Sequence, residues 1–184
     1  MLPTVTAGLI ETPRLTLRPL STGDVELLVD LDGDPEVMRY LTNGGPTAHD
    51  EMAAVVSRSL GHRWLGFERA KNEFVGWFGL PQSAPGEYEI GYRLRRAAWG
   101  QSFATEGVGA LLVGAFTQLG ARRVEAQTMA VNARSRRVME RCGMRYVRTF
   151  HQHFDDPIPG KEHGEVEYEV RSEDWRVVAP DTRL

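Results

Sequence analysis

Residues 99–105 combine small side chains with the start of a helix, which is how a chain can bind phosphate. The segment Trp99-Gly100-Gln101-Ser102-Phe103-Ala104-Thr105 follows the strand-like Tyr88–Leu94 and precedes a helical pattern ending at Gly120. The first N–H groups of a helix have no partner within it, and the helix dipole favours an anion beside them. Gly100 and Ala104 leave room for a pyrophosphate to approach the backbone. We therefore expect a helix over about 105–119 with an anion site at its start.

Basic and amide side chains flank this loop. Arg95 and Arg96 precede it and can neutralise phosphate, although charged strand ends are equally typical of a solvated surface. Asn132 follows the next predicted strand, where its amide can cap the helix behind it or bond an amide-containing ligand arm between the two strands. The basic face of that helix suits either solvent or a phosphorylated ribose; it consists of Arg134, Arg136, Arg137 and Arg141.

Hydrophobic periodicity indicates the elements that position these residues. Alternating or apolar runs predict strands at 14–18, 63–69, 73–80, 88–94, 123–129, 144–153 and 166–171. Helical spacing predicts helices after Ser21, after Thr47, over 105–119 and over 132–142. Thr47 and Asp50 resemble a capping box. The resulting order, β-α-α-β-β-β-α-β-α-β-β, predicts a mixed sheet with helices packed on it rather than a regular βαβ array.

Composition and charge limit the classes of protein. The 184 residues fit one domain, and 41% hydrophobic and 26% charged residues are ordinary for a soluble globular chain. A net charge of −3 gives no electrostatic reason for binding nucleic acid. The single cysteine, Cys142, excludes an intrachain disulfide. Neither a signal peptide nor a membrane span is evident, so we expect a cytoplasmic protein without nucleic-acid or membrane partners.

Several ordered motifs together resemble one family. Trp99–Glu106 is similar to the acetyl-CoA pyrophosphate loop of GNAT N-acetyltransferases, closest to W-G-x-G-[YF]-A-T-E in the ribosomal-protein N-terminal acetyltransferase branch. Residues 11–20, 89–92, 132–135 and 139–144 resemble that branch too, so the resemblance covers about 10–175. It implies one N-acetyltransferase domain over 1–184, with a central mixed, mostly antiparallel twisted sheet of about six to seven strands and about four helices. Ser102 departs from the family glycine, which would cost about 1 kcal/mol if φ is positive there.

The resemblance implies transfer of an acetyl group from acetyl-CoA to a primary amine, by direct attack in a ternary complex and without a metal. The amine would be a protein N-terminus or a small molecule such as an aminoglycoside, and a homodimer is compatible with the scaffold. Acetyl-CoA is expected to contact the loop and the two strands beside it. The expected contact residues are Leu94, Arg95, Arg96, Gly100, Gln101, Ser102, Phe103, Ala104, Thr105, Asn132, Ser135 and Arg136.

The implied reaction needs a base, an oxyanion donor and an acid. Glu89 is the candidate base, although it could equally be an ordinary strand carboxylate. Ser135 lies where related enzymes place a hydroxyl near the CoA sulfur, so it is the candidate acid, with Tyr168 as a weaker alternative. Backbone N–H groups around 91–94 would bind the oxyanion. The amine would approach near Glu89, Tyr92 and residues 151–164.

Three other interpretations stay open at this point. The fold could bind CoA as a catalytically silent sensor. Residues 100–104 are also one residue from a G-x-S-x-G nucleophile elbow at Ser102, with His163 as a triad partner. A metal site is conceivable at His151, His153, Asp155 and Asp156. The acidic residues Asp155, Asp156, Glu162 and Glu165 would suit a cationic acceptor.

Overall fold

The computed structural model describes residues 8–41, 44–151 and 158–176. Within these ranges the chain forms ten strands and five α-helices. The strands are β1 (Ile10–Glu11), β2 (Leu15–Pro19), β3 (Arg63–Glu68), β4 (Glu73–Gly79), β5 (Gln82–Ala84), β6 (Glu87–Glu89), β7 (Gly91–Leu94), β8 (Arg123–Met129), β9 (Arg145–Phe150) and β10 (Glu165–Arg171). The helices are α1 (Val25–Asp32), α2 (Pro35–Met38), α3 (His49–Ser59), α4 (Phe103–Thr117) and α5 (Ala133–Arg141).

The strands form two five-stranded sheets. Sheet A has the order β1-β2-β3-β4-β7, and sheet B has the order β5-β6-β8-β10-β9. All described pairings are antiparallel except β6 with β8, which is parallel. The strand pairing is therefore mixed and mostly antiparallel, as predicted, although the strands form two sheets rather than one central sheet. The fold contains more strands than expected because β1 and β5 are short additions and because one predicted strand is divided.

The strand predicted over 88–94 is divided at Ile90. Before this residue, β6 pairs with β8, and the Ile90 N–H donates to the carbonyl of Glu125 at 2.8 Å. After it, β7 pairs with β4, from Gly91 opposite Gly79 to the strand's end. Strands β7 and β8 have no pairing with each other in the described ranges. A gap therefore opens between them beyond Ile90.

Two hydrophobic cores occupy the two faces of sheet A. One packs α4 and α5 against residues such as Phe78 and Tyr168. The other packs α1 and α3 against Leu65 and Trp77. Adjacent strand residues alternate between these cores, as Phe78 and Trp77 do, because successive side chains point to opposite faces. No helix in the described part of the chain is long and apolar enough to cross a membrane.

Helix α4 lies against sheet A at a small residue. A Cβ at Gly107 would lie 2.3 Å from the ring of Phe78, so only glycine permits this approach without a shift. The helix begins at Phe103, two residues earlier than predicted. This close contact fixes the position of the helix whose first turn carries the loop described below.

The predicted capping box at Thr47 does not form. Helix α3 begins at His49 with Ala48 as its N-cap, and no side chain caps it. The hydroxyl of Thr47 instead donates to Asp32 Oδ2 at 2.6 Å. The Thr47 hydroxyl forms a stronger hydrogen bond when it donates to a buried carboxylate than when it accepts from a helix N–H. The long-range contact therefore replaces the local one.

Candidate active site

The loop before α4 presents consecutive unpaired N–H groups. Gly100 and Ser102 both have left-handed backbones, with φ of 74° and 61°. The first α4 bond to the loop is from the Glu106 N–H to the carbonyl of Ser102 at 3.0 Å. In the described ranges, the N–H groups of residues 100–105 donate to no acceptor. They lie at the start of a 15-residue helix, where an anion is favoured.

Ser102 occupies the positive-φ position that the sequence left open. A non-glycine residue in this region costs about 1 kcal/mol relative to glycine. Its side chain makes no capping hydrogen bond. The serine therefore strains the loop without disrupting its shape.

An ion pair with the segment between β1 and β2 attaches this loop to the N-terminal part of the chain. The Glu106 carboxylate accepts from the Arg14 N–H at 2.8 Å, from Arg14 Nε at 2.7 Å and from Thr12 Oγ1 at 2.6 Å. Arg14 Nη1 also donates to the carbonyl of Gln101 at 3.0 Å, and its guanidinium lies over the Phe103 ring at 4.8 Å. Sequence reasoning missed this contact, although its partners belong to two of the family-like motifs.

The gap between β7 and β8 contains free backbone donors. The Arg95 N–H donates to Val75 in β4 at 3.0 Å, whereas the Ile90 N–H donates toward β8. Because successive N–H groups of a strand point to opposite neighbours, those of Tyr92 and Leu94 face the gap. The gap can therefore pair with an extended, amide-containing ligand.

Two hydroxyls meet across this gap. The Tyr92 hydroxyl lies 2.9 Å from Ser135 Oγ at the start of α5 and donates to the Ser135 carbonyl at 3.1 Å. Burial raises the pKa of Tyr92 well above its usual range, so the phenol keeps its proton. Tyr92 thus faces α5, not the acceptor side where the sequence analysis expected it, because its side chain lies on the strand face opposite Glu89.

Of the other residues expected to contact the cofactor, some lie beside the loop or the gap and one does not. Asn132 caps α5, since its Oδ1 accepts from the Ser135 N–H at 3.2 Å. Arg95 pairs with Glu73 at 2.6 Å and Arg96 with Asp34 at 3.3 Å, both beside the loop.

The structure does not bring Arg136 to the loop. Its guanidinium donates to the Tyr168 hydroxyl at 3.2 Å and to the Ala130 carbonyl at 3.1 Å, which attaches α5 to the sheet. From the same helix, Arg134 lies over the Trp99 ring at 4.7 Å instead. The Tyr168 hydroxyl is also occupied, because it donates to Glu140 at 2.9 Å.

Glu89 is a carboxylate without a cationic partner among the described residues. Its carboxylate neighbours on sheet B share one cation, Arg123, which pairs with Glu87, Glu125, Glu167 and Glu169. The Glu89 side chain is exposed, yet the protein around it and the negative charge of Glu125 raise its pKa. A carboxylate with a raised pKa is a better proton acceptor than an ordinary one.

Cys142 is not positioned as a nucleophile. The thiol is 4% exposed, and its Sγ lies 3.6 Å from the Thr105 carbonyl. Burial raises its pKa to about 12, so the thiolate is scarce near neutral pH.

Several predicted acceptor-side residues are only partly described. His153, Asp155 and Asp156 lie outside the described residues. Glu165 pairs with Lys161, and the Glu162 carboxylate accepts from the Gly160 N–H at 3.0 Å. In the residues that are described, no group of three or more His, Cys, Asp or Glu is arranged to hold a metal.

A family model for the acetyltransferase (GNAT) domain matches residues 14–145, which is most of the chain. The chain therefore belongs to the GNAT acetyltransferases, and the family prediction from its motifs is confirmed. It is an acetyltransferase that uses acetyl-CoA. This membership favours an enzyme over a catalytically silent sensor and gives no support to a hydrolase built on Ser102.

Individual relatives agree with the family. The FsC-acetyl coenzyme A-N(2)-transacetylase of Aspergillus fumigatus is 37% identical over 183 residues, covering 90% of this chain and 77% of that protein. A GNAT-family acetyltransferase from Bacillus anthracis has a TM-score of 0.76 at 25% identity, covering 90% of this chain and 99% of that one. The ribosomal L7/L12 α-N-protein acetyltransferase RimL, in complex with CoA, shares the fold with a TM-score of 0.74 at 18% identity, covering 89% and 97%.

Proposed function

We propose that this chain transfers the acetyl group of acetyl-CoA to a primary amine by direct attack in a ternary complex. The observation that carries the proposal is the run of unpaired N–H groups at 100–105, directly beside the gap between β7 and β8. The two features suit the two ends of one ligand, a pyrophosphate and an amide-containing arm.

The loop and the gap would hold acetyl-CoA together. The N–H groups of 100–105 would bind the pyrophosphate, with Arg95 and Arg96 close enough to add positive charge after leaving their carboxylate partners. The arm would lie in the gap against the N–H groups of Tyr92 and Leu94. One of these two donors would also stabilise the oxyanion formed when the amine attacks the thioester.

Glu89 is the proposed base. An amine attacks only in its neutral form, so a proton must leave it. Glu89 shares a strand face with Gly91 and Arg93, on the side of α1 and α3, from which the acceptor would approach. Its raised pKa and its lack of a cationic partner support this role.

Ser135 is the proposed acid. It lies across the gap from β7, on the opposite side of the strand from Glu89, so base and acid would act on the two sides of the thioester. Its hydroxyl would protonate the leaving thiolate, and the Tyr92 hydroxyl, 2.9 Å from Ser135 Oγ, would turn from the Ser135 carbonyl to donate to that oxygen as it loses its proton. The buried Cys142 offers no accessible thiolate, which favours direct attack over an acetyl-enzyme.

The acceptor is proposed as a primary amine of a protein N-terminus or of a small molecule. The printed name of the Aspergillus relative, an N(2)-transacetylase, supports a nitrogen acceptor. The RimL name supports an α-amine, although at 18% identity that likeness shows the fold alone.

Thermal unfolding with acetyl-CoA, ATP or NADH tests the cofactor part of the proposal. A ligand at about 100 times its Kd stabilises by about 2.7 kcal/mol, which raises Tm by several degrees. We expect that rise with acetyl-CoA and not with ATP or NADH. Intact-mass analysis after incubation with acetyl-CoA alone should show no acetylated protein. A stable acetyl adduct that an amine then discharges would contradict direct attack.

A further inference from the structure

A cavity of about 160 Å³ opens between α1, α3 and the strands β3, β4 and β7, on the face that carries Glu89. Its charged lining has one more positive than negative group. The charged residues are Arg58, Arg63, Arg93, Asp32 and Glu51.

The buried carboxylate in this cavity is already occupied. Asp32 is 2% exposed. Arg93 Nη1 donates to its Oδ1, and Thr47 Oγ1 donates to its Oδ2 at 2.6 Å. Asp32 therefore holds Arg93 in place and has little capacity left for the second arginine, Arg63.

Arg63 has no acceptor. Its guanidinium lies 4.1 Å from the centre of the Trp77 ring and forms no hydrogen bond or ion pair with any described residue. Burial and the charges of Arg93 and Arg58 lower the pKa of Arg63 to about 10. A half-buried, unpaired guanidinium is unfavourable unless an anion supplies acceptors. Its planar fork fits a carboxylate.

The floor beside Arg63 is the strand surface formed by two glycines, which carry no side chains. Gly79 and Gly91 lie opposite each other in neighbouring strands. A Cβ at Gly91 would contact only Trp77, at 3.5 Å, and one at Gly79 would lie 3.9 Å from Arg63 Nε. This face of the pair therefore borders Arg63 and is not filled by other side chains at Gly91. Residues 89, 91 and 93 share this face, so the floor leads from the arginines to Glu89 and the strand division.

We propose that Arg63, flanked by Arg93, binds a carboxylate of the acceptor, so that the acceptor is a small amino-acid-like molecule rather than a plain polyamine. The inference rests on the proposed function and names its substrate class. The carboxylate would occupy the cavity, and the amine would lie over Gly91 toward Glu89. Two strand residues span roughly 7 Å, which is the distance between amine and carboxylate that the floor permits.

Pairs of amines that differ only by a carboxylate test this inference. Suitable pairs are lysine with cadaverine and ornithine with putrescine, whose side-chain amines lie several ångströms from the carboxylate, with kcat/KM followed by release of the CoA thiol. The ratio measured within each pair is kcat/KM for the carboxylated amine divided by kcat/KM for its partner. A carboxylate also lowers the pKa of a neighbouring amine, so the readout is how Arg63→Gln changes this ratio. We expect the ratio to fall about tenfold or more. Arg63→Lys should retain part of it.

Controls separate this inference from the proposed function. Arg39 is an exposed arginine that pairs with Glu36 at 3.7 Å and is not among the residues that line the cavity, so Arg39→Gln should leave the ratio unchanged. A Tm rise with acetyl-CoA in Arg63→Gln shows that the variant is folded. If acetyl-CoA binds but the ratio does not respond to Arg63→Gln, the carboxylate site is wrong and the proposed function stands. If acetyl-CoA does not bind the wild type, the proposed function itself fails.

A second measurement does not depend on turnover, so it tests the inference even where catalysis is slow or absent. Thermal shifts of the CoA-bound protein are recorded with each member of the same pairs. We expect the carboxylated members to raise Tm in the wild type but not in Arg63→Gln. Equal shifts within every pair, or no shift with any carboxylated member, would overturn the inference, as would preferred turnover of a peptide N-terminus that Arg63→Gln does not affect.

Discussion

The two sides of the divided strand at 88–94 are built from different parts of the protein, backbone on one side and side chains on the other. On one side, the loop at 99–105 is a continuous segment whose unpaired backbone N–H groups are the proposed ligand donors. On the other, the cavity is made by side chains from distant parts of the chain, Asp32, Arg63 and Arg93. A backbone site tolerates many side chains as long as its dihedral angles are kept. A side-chain site changes its ligand when one residue changes.

This contrast suggests a division of labour within the family. A shared cosubstrate requires a constant site, which a loop and a helix start provide. Acceptors differ, and a cavity assembled from long-range side chains can change without altering the fold. Variants on the two sides should therefore fail in different ways.

The largest expected effect concerns Glu89. Glu89→Gln should lower kcat/KM by about 100-fold or more, because no general base remains. In the wild type, activity should fall as pH decreases through the raised pKa of Glu89, because only the deprotonated form accepts a proton. Glu125→Gln removes a like charge, so this acid limb should move to lower pH. The pH profile of kcat/KM checks both.

A matched variant controls for nonspecific charge effects. Glu87 lies on the same strand face but pairs with Arg123 at 3.4 Å. Glu87→Gln should leave the acid limb where it is. An unchanged acid limb in Glu89→Gln would show that another group accepts the proton.

A second variant tests the support of the loop. Gly107→Ala should destabilise the protein by about 1–3 kcal/mol, because the new Cβ would lie 2.3 Å from Phe78 and push α4 outward. Gly109 has no atom within 4 Å of a Cβ position. Gly109→Ala should stabilise by about 0.5–1 kcal/mol through helix propensity. Denaturant unfolding compares the pair, and equal losses would mean that α4 does not depend on this contact.

A third variant removes the ion pair behind the loop. Glu106→Ala leaves Thr12 and Arg14 without their acceptor and should cost about 2 kcal/mol of stability. Arg14 would also hold the Gln101 carbonyl less well. We therefore expect weaker acetyl-CoA binding by calorimetry, with the preference between amine pairs unchanged. A changed preference would mean that the two sides are coupled.

The smallest effect is expected at Ser102. Ser102→Gly should stabilise by about 0.5–1 kcal/mol, because glycine adopts a φ of 61° without strain. Gly100, at a φ of 74°, is the reciprocal control, and Gly100→Ala should destabilise by a similar amount. A stability loss in Ser102→Gly would show that the hydroxyl makes a contact that outweighs the strain.

The sequence was most informative where the determinants are local. The loop, the helix after it and most strands follow from small residues, caps and alternation within about ten residues. Asn132 was predicted as a possible cap, and it caps α5. The family likeness raises the question whether φ is positive at Ser102, but the sequence alone does not answer it; the structure shows a left-handed backbone there.

The sequence was least informative where tertiary contacts decide. Alternation continues through Ile90, so nothing local shows that the strand changes partners there. Thr47 matched a capping pattern, but a buried carboxylate from another helix attracted its hydroxyl. Tyr92 is predicted on the acceptor side because its partner, Ser135, is 43 residues away and no local pattern indicates that contact.

Because the strand divides at Ile90, a gap between β7 and β8 separates the two sheets beyond this residue. In the proposed ternary complex, acetyl-CoA would occupy this gap from the side of α4 and α5, and the amine would reach it from the side of α1 and α3, so neither would block the path of the other. The two products would leave in the same two directions. The fold would then impose no order of arrival or departure, and any such order would come from the energetics of the bound species.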